Sequence, residues 1–505
     1  MTVSPQRVLI AGGGTAGWMA AAALARFVGP TGVQIELVES EQIGTVGVGE
    51  ATIPNIADFN AMLGIEEHDF LAATRGTYKL GIAFENWGKP EDHYFHPFGT
   101  YGLDLGGQPF HQIWHAQRQT VGSPPLDAFS MCAQAALSGK FMQPHTDPQS
   151  PVSQLRHAYH FDAGLYARFL RRRAENQGVV RHEGRIATVE QAPETGDIVA
   201  LFLEDGRRLE ADLFIDCTGF RSLLLGQTLN VPFEDWSHWL PCDRAIAVPS
   251  ARTEPLRPFT RARAGQAGWQ WRIPLQHRTG NGHVYCSAAL DDDTALQELL
   301  AGLDGEVLGE PNQLRFTTGR RSRLWEKNCV ALGLAAGFLE PLESTSIHLI
   351  QEGISKLLAL FPGAQGNQAE TGMYNRLMIE SFDIIRDFII LHYAANQRED
   401  NAFWRGLREM VLPDRLQSIL DVFRQHGRLF VHDRDLFTLT SWVAVLYGQN
   451  IQPGAADPLA RAIPPAERAQ FLGNLEHVYA RAAQHMPPHA AYLNQFCTSP
   501  SAETS

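Results

Sequence analysis

The sequence predicts an α/β fold followed by a mainly helical carboxyl-terminal region. Residues 8–11 (Val-Leu-Ile-Ala) form a short apolar run of the kind that becomes a buried parallel strand. The alanine-rich segment from Trp18 to about Phe27 favours a helix. From about residue 345 onward, apolar side chains recur at helical spacing, which indicates that helices dominate the rest of the chain.

The elements after the first helix extend this pattern. Residues 34–38 predict a second strand, which completes a βαβ unit. Residues 213–216 and 330–332 predict later strands of the same domain, and residues 269–273 alternate like a strand. Segments rich in proline, histidine and aromatic residues interrupt these elements, so we expect interleaved domains instead of domains strung along the chain.

Composition narrows the class of protein. The 505 residues carry a net charge of −13, which argues against nucleic acid as a partner. The six cysteines contain no CxxC spacing, and this favours free thiols in a reducing compartment. There is no signal-peptide pattern, and no apolar run approaches the roughly 20 residues of a membrane span. We therefore expect a cytoplasmic protein that has no membrane segment.

A glycine-rich turn after the first strand satisfies the GxGxxG pattern of dinucleotide-binding folds. Its first glycine allows the tight turn, the second lets the backbone approach a pyrophosphate, and the third allows close helix–strand packing. An acid that can bind a ribose follows twenty-two residues after the third glycine. The alternative is a glycine turn that serves packing alone. The predicted contacts are Gly12, Gly14, Thr15, Ala16, Gly17 and Glu39.

Further glycine segments favour FAD over NAD as the dinucleotide. The segment 212–219 resembles the later strand and glycine of FAD-dependent monooxygenases, and a second glycine turn there suits a large, permanently docked cofactor. The loop 44–54 can fold over a flavin, with Gly49 and Ala51 as contacts, although such a loop can also be a flexible surface segment. Gly333 is assigned to the same cofactor. Together these segments predict a Rossmann-like FAD-binding domain.

The most informative stretch is residues 340–346, Glu-Pro-Leu-Glu-Ser-Thr-Ser. It places two carboxylates and three hydroxyls between an apolar run and a predicted helix. Carboxylates beside an apolar run are costly to bury unless a partner compensates them. We predict that Lys79 compensates Glu343, whereas Glu340 has a structural role.

Five blocks of the chain resemble the flavin-dependent halogenases, of which the tryptophan halogenases are the familiar members. The blocks follow the order found in that family, and WQWRIP is the most specific of them. They are GGGTAGWMA (12–20), GEATIP (49–54), TYKLGIAF (77–84), WQWRIP (269–274) and EPLEST (340–345).

The resemblance implies a two-part fold. Residues 1–345 would form an FAD-binding box of the GR2-type monooxygenase class, and insertions near 88–130 and 231–260 would contribute to the substrate pocket. Residues 346–498 would form a mainly helical, substrate-binding pyramid interleaved with the box. Residues 499–505 would be a disordered tail.

The resemblance also implies the chemistry. A separate reductase supplies reduced FAD (FADH2), which forms a flavin hydroperoxide with oxygen. Chloride or bromide attacks it to give hypohalous acid. That acid meets Lys79, as a hydrogen-bonded species or as a haloamine, and halogenates a small aromatic substrate by electrophilic substitution. The enzyme would be a monomer or a homodimer.

Two residues carry the catalytic prediction. If residues 77–84 form one strand, Lys79 shares a face with Gly81 and Ala83, whose small side chains leave space around the amine. Glu343 can keep that lysine charged, polarise the oxidant or accept the proton that the ring loses. The alternatives are an ordinary surface lysine and a glutamate favoured by a helix N-terminus.

The hydroxyl residues after Glu343 suit a helix N-terminus, where side chains cap and backbone amides attract anions. The resemblance places halide at the amides of Thr345 and Ser346, although many family members have glycine at the position of Ser346. Ser344 is assigned to the substrate side of the same turn.

Aromatic residues supply the predicted barrier and pocket. By resemblance, Trp269, Trp271, Ile273 and Pro274 stand between flavin and substrate, although an aromatic stripe in a core sheet is the simpler reading. His96 and Phe98 match a segment that lines the substrate pocket, and the alternative for His96 is a satisfied surface histidine. The histidines show no metal-ligand spacing, so no metal is predicted.

The chain departs from tryptophan halogenases at residues 436–443, which lack their adjacent tyrosines. Trp442 lies there and is assigned to the pocket. Free tryptophan is therefore disfavoured as the substrate, and indole or an indole derivative is expected. An FAD-dependent aromatic hydroxylase is one alternative, disfavoured because residues 331–339 contain no aspartate. A non-catalytic dinucleotide-binding protein is the other.

Overall fold

The structure, a computed structural model, describes residues 6–42, 49–363, 368–431 and 435–496. Part of the predicted flavin loop, residues 44–48, lies outside the described residues, as does the predicted tail 499–505.

The strands are short, and most pair with partners distant in sequence. In chain order they are β1 (Arg7–Ala11), β2 (Gln34–Glu39), β3 (Gly49–Ala51), β4 (Thr77–Lys79), β5 (Gly81–Glu85), β6 (His93–Pro97), β7 (Ala158–Asp162), β8 (Val180–Glu183), β9 (Ile186–Gln191), β10 (Ile198–Leu203), β11 (Arg208–Glu210), β12 (Leu213–Asp216), β13 (Phe233–Asp235), β14 (Arg244–Ala251), β15 (Thr260–Ala264), β16 (Gly268–Pro274), β17 (Arg278–Tyr285), β18 (Asn312–Arg315), β19 (Gly319–Arg321), β20 (Trp325–Glu326), β21 (Cys329–Ala331) and β22 (Gly337–Phe338).

The longest helices come late in the chain, as the periodicity predicts. The helices are α1 (Thr15–Phe27), α2 (Asn55–Met62), α3 (Glu67–Thr74), α4 (Phe110–Thr120), α5 (Met131–Leu137), α6 (Ala163–Asn176), α7 (Asp292–Ala301), α8 (Ser346–Ala359), α9 (Gln368–Ala394), α10 (Ala402–Arg408), α11 (Asp414–His426), α12 (Leu439–Gly448), α13 (Pro458–Ala462), α14 (Pro465–His485) and α15 (His489–Phe496).

The chain divides into two compact units, each built from three separate segments. The first unit comprises Met1–Gly76, Phe161–Asp243 and Arg315–Asp383. The second unit comprises Thr77–His160, Arg244–Leu314 and Ile384–Ser505. This division differs from the predicted boundary near residue 345, because strand pairing joins residues far apart in sequence. The predicted box and pyramid stay a prediction.

The first unit is organised by a six-stranded sheet in the order β20-β21-β12-β1-β2-β8. Strand β1 lies between β2 and β12 and pairs in parallel with both. Its residues 8–11 are fully buried, which confirms the predicted parallel strand. Helix α1 begins at Thr15, three residues before the predicted start, and packs against α6 and α8.

The second unit is organised by a seven-stranded sheet in the order β18-β14-β17-β16-β15-β5-β6. Strand β16 contains the predicted WQWRIP strand and pairs antiparallel with β15 and β17. Helix α12 packs on β6. The mixture of sheets and helices in the two units confirms the predicted α/β class.

The predicted continuous strand at 77–84 is wrong, because the chain changes sheets at Leu80. Its amide donates to the Pro258 carbonyl at 2.8 Å, and its carbonyl accepts from the Phe98 amide at 3.0 Å. Strand β4 therefore pairs with β7, whereas β5 pairs with β6 and β15. Lys79 thus shares no strand face with Gly81 and Ala83, and the predicted reason for space around its amine fails.

Two general features accompany this fold. None of the helices in the described ranges combines the length and hydropathy needed to cross a bilayer. No disulfide joins the cysteines in the described ranges, namely Cys132, Cys217, Cys242, Cys286 and Cys329.

Candidate active site

The glycine turn after β1 has the close contacts that its predicted roles require. Gly12 has a φ of +108°, and a Cβ there would stand 2.3 Å from the Cys217 carbonyl oxygen. A Cβ on Gly17 would stand 1.9 Å from the Gly12 carbonyl oxygen. A Cβ on Gly14, by contrast, would meet no heavy atom within 4 Å. The turn is therefore packed where it joins the sheet and open at Gly14, which fits a pyrophosphate at the helix start.

Glu39 ends β2 beside this turn. Its carboxylate accepts a 2.6 Å hydrogen bond from Arg181 Nε and lies 3.6 Å from Arg171 Nη1. A Cβ on Gly13 would overlap Glu39, with Oε2 only 1.6 Å away. The carboxylate is thus held against the glycine turn, where a ribose hydroxyl can donate to it. No motif in the sequence identifies Arg181 as the residue that orients Glu39.

The later glycine segments of the first unit adjoin the same end of the sheet. Asp216, at the end of β12, accepts hydrogen bonds from Thr218 and from the amides of Leu224 and Leu225 at 2.6–3.0 Å. Burial raises the pKa of Asp216, and these hydrogen bonds oppose the rise.

Gly333 also reaches the glycine turn. It has a φ of +62°, and a Cβ there would lie 3.0 Å from the Ala16 side chain. The residues at the carboxyl ends of β1 and β12 thus suit the dinucleotide that the sequence predicts.

The segment 340–346 is buried despite its polar composition. Glu340 and Glu343 are 0% and 2% exposed, and Ser344 and Thr345 are 3% and 1% exposed. Residues Pro341–Glu343 form a short 3₁₀ turn, and Ser344 reverses the chain with a φ of +59°. Ser346 is then the first residue of α8.

Thr345 is the N-cap of α8, but its side chain makes no capping hydrogen bond. The prediction that this side chain caps the helix is therefore wrong. The Thr345 hydroxyl is buried and has no hydrogen-bond partner among the described residues. A buried hydroxyl in that state is costly, and a polar ligand, an ion or a water at the helix start would satisfy it.

Lys79, the last residue of β4, is completely buried. This burial excludes the alternative of a surface lysine. Its Nζ lies 5.0 Å from the centroid of the Phe98 ring, within the range of a cation–π contact. The second unit thereby brings together two predicted site residues. Glu343 belongs to the first unit, and its pairing with Lys79 stays a prediction.

The tryptophan pair lies on one face of β16, as the alternation predicts. Trp269 and Trp271 are 1% and 8% exposed, and their ring centroids lie 6.1 Å apart. Ile273 on the same face is buried as well. This burial is compatible both with a core stripe and with a barrier, so the barrier role stays a prediction.

Aromatic rings gather around Phe388 of α9. Phe437 stacks on it with centroids 3.8 Å apart, and Trp442 meets it edge-on at 5.2 Å. His96 lies 5.9 Å away and is 4% exposed, so it is not a surface histidine. The sequence predicts His96 and Trp442 as pocket residues, but no motif in it singles out Phe388 and Phe437. In the sequence, Phe388 is one of the many apolar side chains that recur at helical spacing after residue 345, and that pattern carries no pocket-specific signal.

Within the described part of the chain, no group of three or more His, Cys, Asp or Glu residues is arranged to bind a metal ion.

A family model, a protein relative and solved structures that are similar to this chain all point to the same family. The tryptophan halogenase family matches residues 7–465. The 7-chloro-L-tryptophan 6-halogenase KtzR of Kutzneria is 35% identical, over 96% of this chain and 98% of that protein. A solved flavin-dependent halogenase from Xanthomonas campestris is 49% identical with a TM-score of 0.95, covering 99% of both chains. BrvH, a flavin-dependent halogenase from Brevundimonas, is 45% identical with a TM-score of 0.94, covering 98% of this chain and 99% of that one.

Proposed function

Because the chain belongs to the tryptophan halogenase family and is a flavin-dependent halogenase, we propose that it halogenates indole or an indole derivative. The reaction uses reduced FAD, oxygen and chloride or bromide. Flavin-dependent halogenases obtain their reduced flavin from a separate reductase, and the same supply is proposed here. The protein acts on its small aromatic substrate by electrophilic substitution.

The complete burial of Lys79 carries the catalytic part of this proposal. A lysine is almost never fully buried without a reason, because its charged form loses hydration. The amine lies over the Phe98 ring, which can stabilise a positive charge at this buried position. Lys79 is thus suited to receive hypohalous acid, hold it by a hydrogen bond or as a haloamine, and direct the electrophilic halogen to a ring carbon.

The first unit provides the proposed cofactor contacts. Gly12, Gly14 and Gly17 form the turn that receives the pyrophosphate, and Glu39 accepts from the ribose. Reduced FAD, when bound, supplies the oxygen activation that oxidises halide. The further flavin contacts are Thr15, Ala16, Gly49, Ala51 and Gly333.

Halide is proposed to bind at the start of α8. The amides of Thr345 and Ser346 stand at the positive end of the fourteen-residue helix, where an anion is favoured. Glu343 precedes them and is proposed to keep Lys79 charged or to accept the proton that the substrate ring loses.

The barrier between cofactor and substrate is assigned to Trp269, Trp271, Ile273 and Pro274 of β16. Large, buried aromatic side chains exclude an indole but leave hypohalous acid small enough to pass. Such a separation favours halogenation over direct hydroxylation of the substrate.

The proposed substrate class is supported by the apolar cluster around Phe388. Segment 436–443 contributes Phe437 and Trp442 to this cluster and contains no tyrosine. Aromatic rings suit an indole ring, whereas they give no charged anchor for the amine and carboxylate of an amino acid. Free indole is therefore preferred over free tryptophan.

The proposal is tested by supplying the protein with a flavin reductase, FAD, NADH, oxygen, bromide and indole. Mass spectrometry is expected to find bromoindole, and tryptophan is expected to react more slowly. Hydroxyindole in place of bromoindole would overturn the proposed reaction.

The role of Lys79 is tested separately with Lys79→Met, which keeps the length of the side chain but removes the amine. We expect a loss of halogenation of about a hundredfold or more. The exposed Lys89 of the same unit provides the control, and Lys89→Met is expected to retain activity. Equal activity of the two variants would remove Lys79 from the mechanism and leave the family assignment standing.

A further inference from the structure

Two buried histidines of the second unit contact β4, the three-residue strand that ends in Lys79. His160 lies on β7 directly opposite Thr77, and His489 begins α15. Both side chains are 0% exposed. Both ring nitrogens of each imidazole have a hydrogen-bond partner, and these bonds show which nitrogen carries the proton.

The hydrogen bonds of His160 fix its tautomer. The Thr77 hydroxyl donates its single hydrogen to the Pro274 carbonyl at 2.7 Å. It must therefore accept from His160 Nδ1, which lies 3.0 Å away. In the neutral ring, Nε2 then accepts from the Thr260 hydroxyl at 2.9 Å. Burial lowers the pKa of His160 well below 6.5, and the charges of Lys79 and His489 add to this effect.

His489 shows the same tautomer by a separate argument. The backbone amide of Tyr78 points at His489 Nε2, 3.2 Å away, and an amide can only donate. Nε2 is therefore the acceptor, and Nδ1 donates to the Leu256 carbonyl at 3.2 Å. Burial lowers the pKa of this histidine to about 3, with Arg252 lowering it further.

The two imidazoles act on opposite sides of the same short strand. β4 pairs with β7 along one edge, through Thr77 opposite His160 and Lys79 opposite Ala158. The Tyr78 amide points to the opposite edge of β4. There His489 accepts its hydrogen bond, as a neighbouring strand would. Because Leu80 leaves the ladder at once, three residues of β-pairing alone would hold Lys79 weakly.

We propose that His160 and His489 are positioning residues that hold β4, and with it Lys79, through two neutral imidazoles. The inference rests on the proposed role of Lys79 and extends it. Neutrality is required, because a proton on His489 Nε2 would remove the acceptor of the Tyr78 amide. A proton on His160 Nε2 would remove the acceptor of Thr260 and add a positive charge near Lys79.

The experiment compares His489→Phe, which fills the space without an acceptor, with His489→Gln, whose carbonyl can accept from the Tyr78 amide. The readouts are kcat, KM for indole, affinity for oxidised FAD, and the hypohalous acid that escapes to a diffusible trap. The other imidazole is tested with the same readouts. His160→Phe removes its hydrogen bonds, and Thr260→Val removes the hydroxyl that donates to His160 Nε2.

If the Lys79 amine is misplaced, kcat for bromoindole formation should fall by about tenfold or more. The amount of hypohalous acid that escapes to the trap should rise. KM for indole and FAD affinity should stay nearly constant, because the fingerprint residues lie in the first unit. His489→Gln should recover most of the lost kcat. The control is His283→Phe, which replaces a buried, hydrogen-bonded histidine of the same unit and should leave kcat unchanged.

The proposal is overturned if folded His160→Phe and His489→Phe enzymes keep the wild-type kcat, or if His283→Phe loses as much. Should His160→Phe and His489→Phe fail to fold, wild-type kcat in Thr260→Val together with equal losses of kcat in His489→Gln and His283→Phe would overturn it. A fully active Lys79→Met enzyme would instead contradict the proposed role of Lys79, whatever the histidine variants do.

Discussion

Trp271 lies across Gly282, its partner on the neighbouring strand β17. A Cβ on this glycine would stand 2.1 Å from the indole ring, which is far inside van der Waals contact. The position of Trp271, the second tryptophan of WQWRIP, therefore depends on Gly282 having no side chain. A rigid core accommodates such an intrusion only by moving the ring.

Gly282→Ala is expected to lower the free energy of unfolding by about 1–3 kcal/mol, because the methyl group overpacks the indole. The shift in the urea unfolding midpoint measures this loss. The control is Gly406→Ala in α10, where a Cβ would meet no heavy atom within 4 Å. That helix substitution should stabilise by roughly 0.5–1 kcal/mol. Equal urea midpoints for Gly282→Ala and Gly406→Ala would contradict the close contact between Trp271 and Gly282.

Glu39→Gln is expected to weaken FAD binding about tenfold or more, since hydrogen bonds to a charged acceptor contribute about 1.5–3 kcal/mol. Titration of the apoprotein with FAD, followed by flavin fluorescence, measures the change. Glu41→Gln serves as the control, because Glu41 also contacts Arg181, at 3.3 Å, but is exposed. Equal losses in the two variants would assign the effect to Arg181 instead of the ribose.

Thr345→Val distinguishes two ways of binding halide at the start of α8. The variant keeps the backbone amide and removes a buried hydroxyl that has no partner among the described residues. We expect unchanged or slightly higher stability, because desolvating an unsatisfied hydroxyl is unfavourable. KM for bromide should change little if the amides bind the anion. A large rise in KM for bromide would make the hydroxyl itself a halide contact.

Acid should destabilise the protein below pH 6.5. Burial lowers the pKa of His111 and His115 to about 4 and that of His489 to about 3. Between these values and 6.5 the unfolded chain binds protons that the folded chain does not, so the free energy of unfolding falls as pH falls. Each such histidine contributes a slope of about 1.4 kcal/mol per pH unit. Urea midpoints between pH 7 and pH 5 measure the sum.

His115→Phe isolates one of these groups. Neither ring nitrogen of His115 has a hydrogen-bond partner among the described residues, so phenylalanine should be tolerated at pH 7. The variant should also lose stability less steeply on acidification than the wild type. An unchanged slope would show that His115 is protonated or solvated in the folded protein.

The sequence by itself determined the elements whose signals are local. The apolar run of β1, the alanines of α1 and the alternation in β16 express backbone preferences and side-chain periods within a few residues. The glycine turn was predictable for the same reason, since Gly12 is needed for a backbone conformation that the neighbouring residues require. Family motifs added the reaction class.

Only the tertiary structure decided the features that need partners far along the chain. It broke the predicted strand at Leu80, because Pro258 and Phe98 take its hydrogen bonds. It placed His489 beside Tyr78, 411 residues away in sequence. Burial and hydrogen-bond direction depend on which segments meet in space. For that reason the sequence identified Lys79, whereas the groups that hold its strand emerged only from the fold.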